Sequence, residues 1–533
     1  MAAEISNTLV EYMVPMRDGV NLYTLVQLPE PSGKFPTIIK RNPYADTTPA
    51  MEPFRTENTH GYAIVYQECR GTGRSEGDCI PYINEHNDGL DTLDWIRKQD
   101  FYNGELFLEG ASYLSSVHFS YLKTNQPDIK AACLMVQDSE RYNIIYRNGF
   151  FKPGLHGNWA VNMYKKKKFR KKNFASETFR TLPLKGFTEK VYGERAEFLE
   201  EEISHPDPAD PFWKSIEGGS DYSGAIHESN VPVLLTTGFY DIYTDGIFDI
   251  WNTLPEARRK DCAMIVSPYD HGWSGYDREG MPVFPNAKIS EVCPDFVYLW
   301  FDHFRTGTPL EFIKRGEIVY YPMFNGPWQH EKFLSKGSKT VRFYPDQTGK
   351  LAASQGEKGE ITYLYNPYAP AGFKGSGCYT FGGMQYQDPP NSRYDIISFL
   401  SAPFEKDSLL KGKSSLDLHV KSTAPDTCFY VRLSIVREDG TLTLRDDIDS
   451  LCRTNPDYQP GKTAVLHFDF TEHCCEVRKG EQIRLDVSSS CVPHFLVHTN
   501  RKGPMSEQTG ADTAYNTICT GDSVLTLYFD ELC

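Results

Sequence analysis

Apolar and polar positions change rhythm three times along the chain. The first third alternates short apolar runs with helix-spaced ones. Glu11–Met16 and Val20–Leu28 read as two strands closed by Arg17-Asp18-Gly19, because Asp-Gly supplies the positive φ of a tight turn. Pro36–Lys40 and Tyr62–Gln67 have the length and apolar character of buried strands. Asp88–Lys98 carries Leu90, Leu93 and Ile96 at three-residue steps along one helical face. Glu105–Leu108 reads as a strand that runs almost without a loop into a helix at Ala111–Lys123, and Ile129–Val136 as another buried strand. Strands separated by helices of this length predict a mainly parallel sheet covered on both faces.

From about Ser139 to Asn230 the pattern turns polar, aromatic and helix-like, with a Pro-rich knot at His205-Pro206-Asp207-Pro208. A strand resumes at Val231–Thr237, followed by a helical stretch at Ile247–Arg259 and a strand at Cys262–Val266. The segment thus reads as an insertion between the sixth and seventh strands of one α/β domain, placed as a lid over the sheet's C-terminal edge. From about Gly337 the rhythm changes again. Ser415–Lys421, Phe429–Arg437, Thr463–Phe470 and Gln482–Ser488 alternate apolar and polar residues between Gly, Pro and Asp turns, which predicts an all-β sandwich or jelly roll. The expected organisation is an α/β domain in two parts, 1–138 and 231–336, a helical cap at 139–230 and a β-sandwich at 337–533.

Composition narrows the function classes. Apolar residues at 40% and charged residues at 24% give a globular chain with ample surface to bury, which excludes disorder. A net charge of −15 argues against a nucleic-acid binder, which needs cationic surface for phosphates. No run approaches the ~18 apolar residues of a membrane span, and Met-Ala-Ala-Glu-Ile-Ser lacks the features of a secretory signal. Thirteen scattered cysteines without a CxxC pair, with Cys474 and Cys475 adjacent, read as reduced thiols in the cytoplasm. The basic run Lys165–Lys172 reads as a solvated face. Gly71-Thr72-Gly73-Arg74-Ser75-Glu76 lacks the third glycine and the Gly-Lys-Ser/Thr ending of a phosphate loop. His494 and His498 have no zinc-site companions, and Asp446, Asp447 and Asp449 miss the calcium-loop spacing and read as a turn. No metal or organic cofactor is expected.

The chemistry points to Gly110-Ala111-Ser112-Tyr113-Leu114-Ser115, between a strand and a helix. A serine on such a turn is thrust out of the sheet edge, and small neighbours let the turn close. The GxSxG pattern is incomplete, since Leu114 fills the last glycine place, and an ordinary helix N-cap serine is the alternative. Downstream, one strand runs into Gly238-Phe239-Tyr240-Asp241 and the next into Ser267-Pro268-Tyr269-Asp270-His271-Gly272. Serine, acid and histidine in this order, at the ends of successive strands, form a nucleophile–base–orienter set of Ser112, His271 and Asp241. Asp270 and Asp245 remain rival acids. The oxyanion donors expected are the Tyr113 backbone N–H and, from Arg41-Asn42-Pro43-Tyr44-Ala45-Asp46, the Tyr44 phenol, because Pro43 has no N–H to give.

These motifs resemble the family of X-Pro dipeptidyl-peptidases, cocaine esterase and α-amino-acid ester hydrolases. The resemblance rests on Val14-Pro15-Met16-Arg17-Asp18-Gly19-Val20, Arg41-Asn42-Pro43-Tyr44, Arg70-Gly71 with Ser75-Glu76-Gly77, and Asp91-Thr92-Leu93-Asp94-Trp95-Ile96. Gly110-Ala111-Ser112-Tyr113, Gly238-Phe239-Tyr240-Asp241 and Pro268-Tyr269-Asp270-His271 follow in the family's order. Late in the chain, Ala424-Pro425-Asp426-Thr427 and Ile483-Arg484-Leu485-Asp486 with Ser488-Ser489-Ser490 look like its β-domain. The resemblance implies an α/β-hydrolase domain with an inserted helical cap and a C-terminal jelly roll. It also implies nucleophile Ser112, acid Asp241, base His271 and oxyanion donors Tyr44 and Tyr113. Two departures stand out: Ser115 where the family usually has glycine, and Glu68-Cys69-Arg70-Gly71 in place of Asp-x-Arg-Gly.

The expected activity is hydrolysis of a carboxylic ester or amide through an acyl-enzyme, on a small-molecule ester, amide or short peptide, with no nucleic-acid or membrane partner and a homo-oligomer left open. Two alternatives are an X-Pro dipeptidyl-peptidase and a non-catalytic ligand-binding protein. Family peptidases usually carry an extra N-terminal helical domain, whereas here the strands begin near Glu11, which favours the esterase or acylase branch. Tyr113, Phe150, Phe151, Trp159, Phe239 and Tyr240 are expected to give the pocket aromatic walls.

Overall fold

The computed structural model describes residues 8–45, 59–164, 169, 172–216, 219–272, 280–377 and 383–532. β1 (Thr8–Pro15) and β2 (Asn21–Leu28) form the antiparallel hairpin that the Asp-Gly turn requires, with Pro15 opposite Asn21. Then come β3 (Phe35–Asn42), β4 (Ala63–Glu68), β5 (Tyr102–Ala111), β6 (Ile129–Met135), β7 (Val233–Tyr240), β8 (Ala263–Asp270) and β9 (Ile318–Tyr320), closed by a short β10 (Gln329–Glu331). They make one ten-stranded sheet in the order β1-β2-β4-β3-β5-β6-β7-β8-β9-β10. Every pairing from β4 to β9 is parallel, while β2 and β10 join antiparallel at the two sides.

Alternate residues of the central strands feed two core layers, as the two-residue period of a strand demands. Leu106, Leu108, Ala132 and Leu134 face one layer, and Phe107, Ala131, Cys133 and Leu234 the other. β4 and β7 are buried along their whole length, which is why they read as unbroken apolar runs.

The helices depart slightly from expectation. α1 (Glu85–Ile96) starts three residues early, with Glu85 and Asp88 in its first turn, where carboxylates suit the helix dipole. β5 runs on to Ala111, so α2 (Tyr113–Leu122) begins only after Ser112.

Between β6 and β7 lies the insertion, carrying α3 (Arg141–Ile145), a two-stranded ribbon (Tyr146–Arg147 with Phe150–Phe151), α4 (Asn158–Met163) and α5 (Glu197–Ser204). Aromatic pairs fill its interior, such as Tyr142 on Tyr146 and Tyr164 on Phe198. Of the run Lys165–Lys172, only Phe169 and Lys172 fall within the described residues. The predicted Ile247–Arg259 helix divides at Leu254-Pro255, where proline lacks the N–H to continue it: α6 (Thr244–Thr253) precedes and a single turn follows. α7 (Phe296–Thr306) packs on the sheet's second face, and its Trp300 indole donates to the Ala132 carbonyl at 3.0 Å.

The C-terminal third is a β-domain. Its long strands are β11 (Ser408–Ser422), β12 (Cys428–Arg437), β13 (Gly440–Ser450), β14 (Ala464–Val477) and β15 (Gln482–Ser488), paired antiparallel as β11 with β14, and β12 with both β13 and β15. Leu416, Leu418 and Val420 are buried between half-exposed neighbours, and Leu466 and Phe468 between exposed Val465, His467 and Asp469, the alternation that predicted sandwich strands.

One expectation fails here. Asp446, Asp447 and Asp449 form no turn; they lie buried within β13. Each has a partner from elsewhere: Ser376 and Tyr430 hydroxyls for Asp446, Arg147 for Asp447 and Arg453 for Asp449. Carboxylates look like turn formers in isolation because only the folded chain supplies those donors.

The insertion is tied to the β-domain through backbone as well. Gly154 N–H donates to Pro493 O, Leu496 N–H to Phe151 O and Lys185 N–H to Ser506 O, at 2.8–2.9 Å. Of the eleven cysteines among the described residues, nine are buried. Among the described residues no helix is long and apolar enough to cross a membrane.

Candidate active site

Parallel strands deliver their C-terminal ends to one edge. Tyr44 follows β3, Ser112 follows β5, Asp241 follows β7 and His271 follows β8. The chain leaves β3 for β4 on one side and β5 on the other, and the crevice at such a reversal is where open α/β sheets bind ligands.

Ser112 has φ 59° and ψ −127°, a backbone conformation that a non-glycine residue holds only when its surroundings enforce it. The turn closes tightly: a Cβ on Gly110 would stand 2.2 Å from the Leu114 carbonyl oxygen, so only glycine fits there. Ser112 N–H donates to Met135 O at 2.9 Å, and Ser112 O accepts from Ser115 N–H at 2.9 Å and from Gln137 Nε2 at 3.0 Å. The Ser112 side chain makes no capping bond to α2, which removes the N-cap alternative. Its Oγ lies 3.0 Å from His271 Nε2, and His271 Nδ1 lies 2.8 Å from Asp241 Oδ2.

Asp241 is fully buried, and its other oxygen accepts from Tyr243 N–H at 2.7 Å. A Cβ on Gly238 would fall 2.0 Å from Tyr269 O, so glycine is required where the ends of β7 and β8 approach each other. The rival acids are engaged elsewhere. Asp270 accepts from Gly272 N–H at 3.2 Å, and Asp245 pairs with Arg147 at 3.1 Å.

The Tyr44 hydroxyl accepts the Trp159 indole N–H at 3.3 Å and lines the same cavity as Ser112. Burial raises its pKa, so it stays a neutral phenol. An Asx turn sets the loop, with Tyr44 N–H donating to Asn42 Oδ1 at 2.9 Å. The Tyr113 phenol points away from the nucleophile: it donates to Glu85 Oε1 at 3.1 Å and accepts from Tyr82 N–H at 2.6 Å. Fully buried Arg41 pairs with Glu85 at 3.1 Å and donates to the Glu85 carbonyl at 3.0 Å. One buried carboxylate thus braces both the Tyr44 loop and the residue after Ser112. Asp46 lies outside the described residues.

Ser115 strengthens the elbow. Its buried hydroxyl donates to Gly110 O at 2.7 Å and accepts from Met135 N–H at 2.9 Å, joining the first turn of α2 to β5 and β6.

A cavity of about 360 Å³ opens over Ser112 and His271. Tyr113 and Trp159 line it as expected, but Phe150, Phe151, Phe239 and Tyr240 do not. Phe150 packs against Phe495 of the β-domain, Phe151 against Phe174, Phe239 against Phe248, and the Tyr240 hydroxyl donates to Thr443 O at 2.6 Å. Tyr82, Gln137, Ile144, Leu155, His156 and Tyr243 line the cavity without having been foreseen, because most stand on loops and the cap, which carry no period. Ring centroids of Tyr82 and Tyr113 are 4.6 Å apart, and Trp159 stacks on Tyr113 at 5.9 Å. Among the described residues no group of His, Cys, Asp and Glu is arranged to hold a metal ion.

Known proteins share this chain's sequence pattern and fold. Residues 18–273 match the family model of the X-Pro dipeptidyl-peptidase (S15 family), and residues 314–523 match the X-Pro dipeptidyl-peptidase C-terminal non-catalytic domain. Cocaine esterase of Rhodococcus sp. (strain MB1 Bresler) is 24% identical over 570 residues, covering 96% of each chain. A putative serine esterase of Mycobacterium bovis is 21% identical, over 91% of this chain and 90% of its own. Among solved structures, an aminopeptidase from a marine-sediment Thaumarchaeota archaeon superposes with a TM-score of 0.82 at 17% identity, over 98% of this chain and 97% of its own. An α-amino acid ester hydrolase does so with a TM-score of 0.82 at 18% identity, over 99% and 97%. The fold they share is consistent with an α/β-hydrolase followed by a β-domain. The chain belongs to the X-Pro dipeptidyl-peptidase and cocaine esterase family of serine hydrolases.

Proposed function

We propose that Ser112, His271 and Asp241 carry out ester hydrolysis through an acyl-enzyme, with Tyr44 and the Tyr113 N–H as oxyanion donors. The observation that carries this reading is the hydrogen-bonded line from Ser112 Oγ to His271 Nε2 and from His271 Nδ1 to Asp241, at 3.0 and 2.8 Å. Ser112 Oγ attacks the ester carbonyl as His271 Nε2 takes its proton. Asp241 holds the ring in the tautomer with hydrogen on Nδ1 and stabilises the imidazolium. The oxyanion receives the Tyr44 hydroxyl and the Tyr113 N–H at the start of α2, where the helix dipole also favours negative charge. His271 then protonates the leaving alkoxide, and water repeats the sequence to release the acid.

Aromatic and aliphatic lining by Tyr82, Trp159, Tyr243, Ile144 and Leu155 suits an aryl or other apolar acyl group. The peptidase reading has the family model as its support. Turnover of a Pro-linked dipeptide amide against a simple aryl ester separates the two, and we expect the ester to be preferred. The direct test of the site is labelling with a fluorophosphonate followed by peptide mapping. Modification at Ser112 that is lost in Ser112→Ala is the expected result; a folded protein left unlabelled would refute the assignment.

We also read residues 1–138 and 231–336 as the hydrolase domain, 139–230 as its cap and 337–533 as a jelly roll. The ten-stranded sheet, the interruption between β6 and β7 and the antiparallel long strands support these divisions. A cytoplasmic location is supported by the thiols being mostly buried in the protein interior.

A further inference from the structure

The two oxyanion donors belong to separate loops, and one buried side chain reaches the supports of both. Glu85, in the first turn of α1, is buried beneath the active-site edge and is not part of the cavity wall. Its Oε1 accepts the Tyr113 phenol at 3.1 Å, and its Oε2 pairs with Arg41 Nη1 at 3.1 Å. Arg41, near the end of β3, also donates to the Glu85 carbonyl at 3.0 Å and to Gln67 Oε1 at 2.9 Å. The next residue, Asn42, holds the Tyr44 N–H through its side-chain oxygen. From the opposite side the Tyr113 phenol oxygen accepts the N–H of Tyr82, whose φ of 72° is one that a tyrosine keeps only when its surroundings enforce it.

The chemistry of this link calls for a carboxylate. Each of its two oxygens serves one loop, and both partners arrive as donors, so an amide in its place would offer one acceptor where two are needed. Arg41 keeps the buried negative charge compensated, and Asp88, 4.0 Å from Arg41 Nη2, is a second counter-charge. Such a strut matters because an oxyanion hole works only when both donors meet the same oxygen. Misplacement by about 1 Å is enough to cost on the order of 10²-fold in rate.

We propose that Glu85 is a positioning residue that fixes the spacing between the Tyr44 hydroxyl and the Tyr113 N–H, so that the two donors act on the oxyanion as one unit. This rests on the ester-hydrolase reading. Because Glu85 lies behind the cavity wall, its contribution falls on the transition state and not on substrate binding.

The test is a double-mutant cycle of Glu85→Gln and Tyr44→Phe on 4-nitrophenyl acetate, with kcat and KM determined separately. Glu85→Gln keeps the side chain's volume but loses one acceptor. It should lower kcat by about tenfold and leave KM within about threefold, less than the loss of a donor because the donor is displaced and not removed. In the Tyr44→Phe background the pair of donors is already broken, and the same substitution should cost no more than about threefold. Equal factors in both backgrounds, or a rise in KM that accounts for the loss, would mean a merely structural role and overturn the proposal. If Glu85→Gln does not fold, Tyr113→Phe cuts the same tether while keeping the backbone N–H and the Glu85–Arg41 pair. It should lower kcat about tenfold with KM held and show the same dependence on Tyr44; an unchanged kcat overturns the proposal. Failure of the underlying reading looks different: the unmodified protein turns over no ester and Ser112 is not labelled.

Discussion

Tyr44 lines the cavity beside Ser112, and because its oxygen accepts the Trp159 indole N–H its own phenolic hydrogen is left for the proposed oxyanion. Tyr44→Phe should therefore lower kcat by on the order of 10²-fold with little change in KM, since the bond matters chiefly once the carbonyl oxygen becomes an anion. Steady-state kinetics on an aryl ester checks this. Asp138, beside the pocket residue Gln137, gives a pH signature. Burial raises its carboxyl pKa to about 7 from 3.8. Between these values the folded chain holds a proton that the unfolded chain has lost, so Asp138 makes stability fall as pH rises from about 4 to 7. Urea titrations across that range should show a flatter profile for Asp138→Asn. Ser112, Asp241 and His271 were legible in the sequence because each follows an apolar strand-length run. Tyr82, His156 and Tyr243 were not, since only the folded cap and loops turn them toward the serine.

At the scale of elements, the turn between β5 and α2 is held by Ser115, which bonds Gly110 O and Met135 N–H. Ser115→Ala leaves the Met135 donor without that acceptor inside the core, which costs about 1–3 kcal/mol. Chemical denaturation should show this loss, and labelling of Ser112 should slow as the turn loosens. Read as a sequence, this position is simply a missing glycine, because the hydroxyl's partners come from the residue five before it and from the neighbouring strand. The same limit explains β13. Asp446, Asp447 and Asp449 look like turn residues until Tyr430, Arg147 and Arg453 are brought beside them. The strands themselves and the place of the insertion were legible, since buried parallel strands announce themselves by composition, whereas their order in the sheet was not.

Across the whole molecule, the β-domain reaches the sheet edge that carries Asp241 through Arg445. Its buried guanidinium donates to Phe239 O at 2.7 Å, two residues before Asp241, and to the carbonyls of Thr471 and Glu472. Arg445→Ala strands several buried carbonyls at once and should destabilise the protein by roughly 3 kcal/mol. It should also lower kcat, because the strand end bearing Asp241 loses its brace. Calorimetry and kinetics on the same preparation check both effects. The cap, for its part, is pinned to the β-domain by the backbone bonds from Gly154, Lys185 and Leu496 and by the Arg147–Asp447 pair. A cover fastened on its far side works as a fixed aperture. On the proposed reading, substrates would then be sieved by fit at the mouth rather than captured by a swinging door.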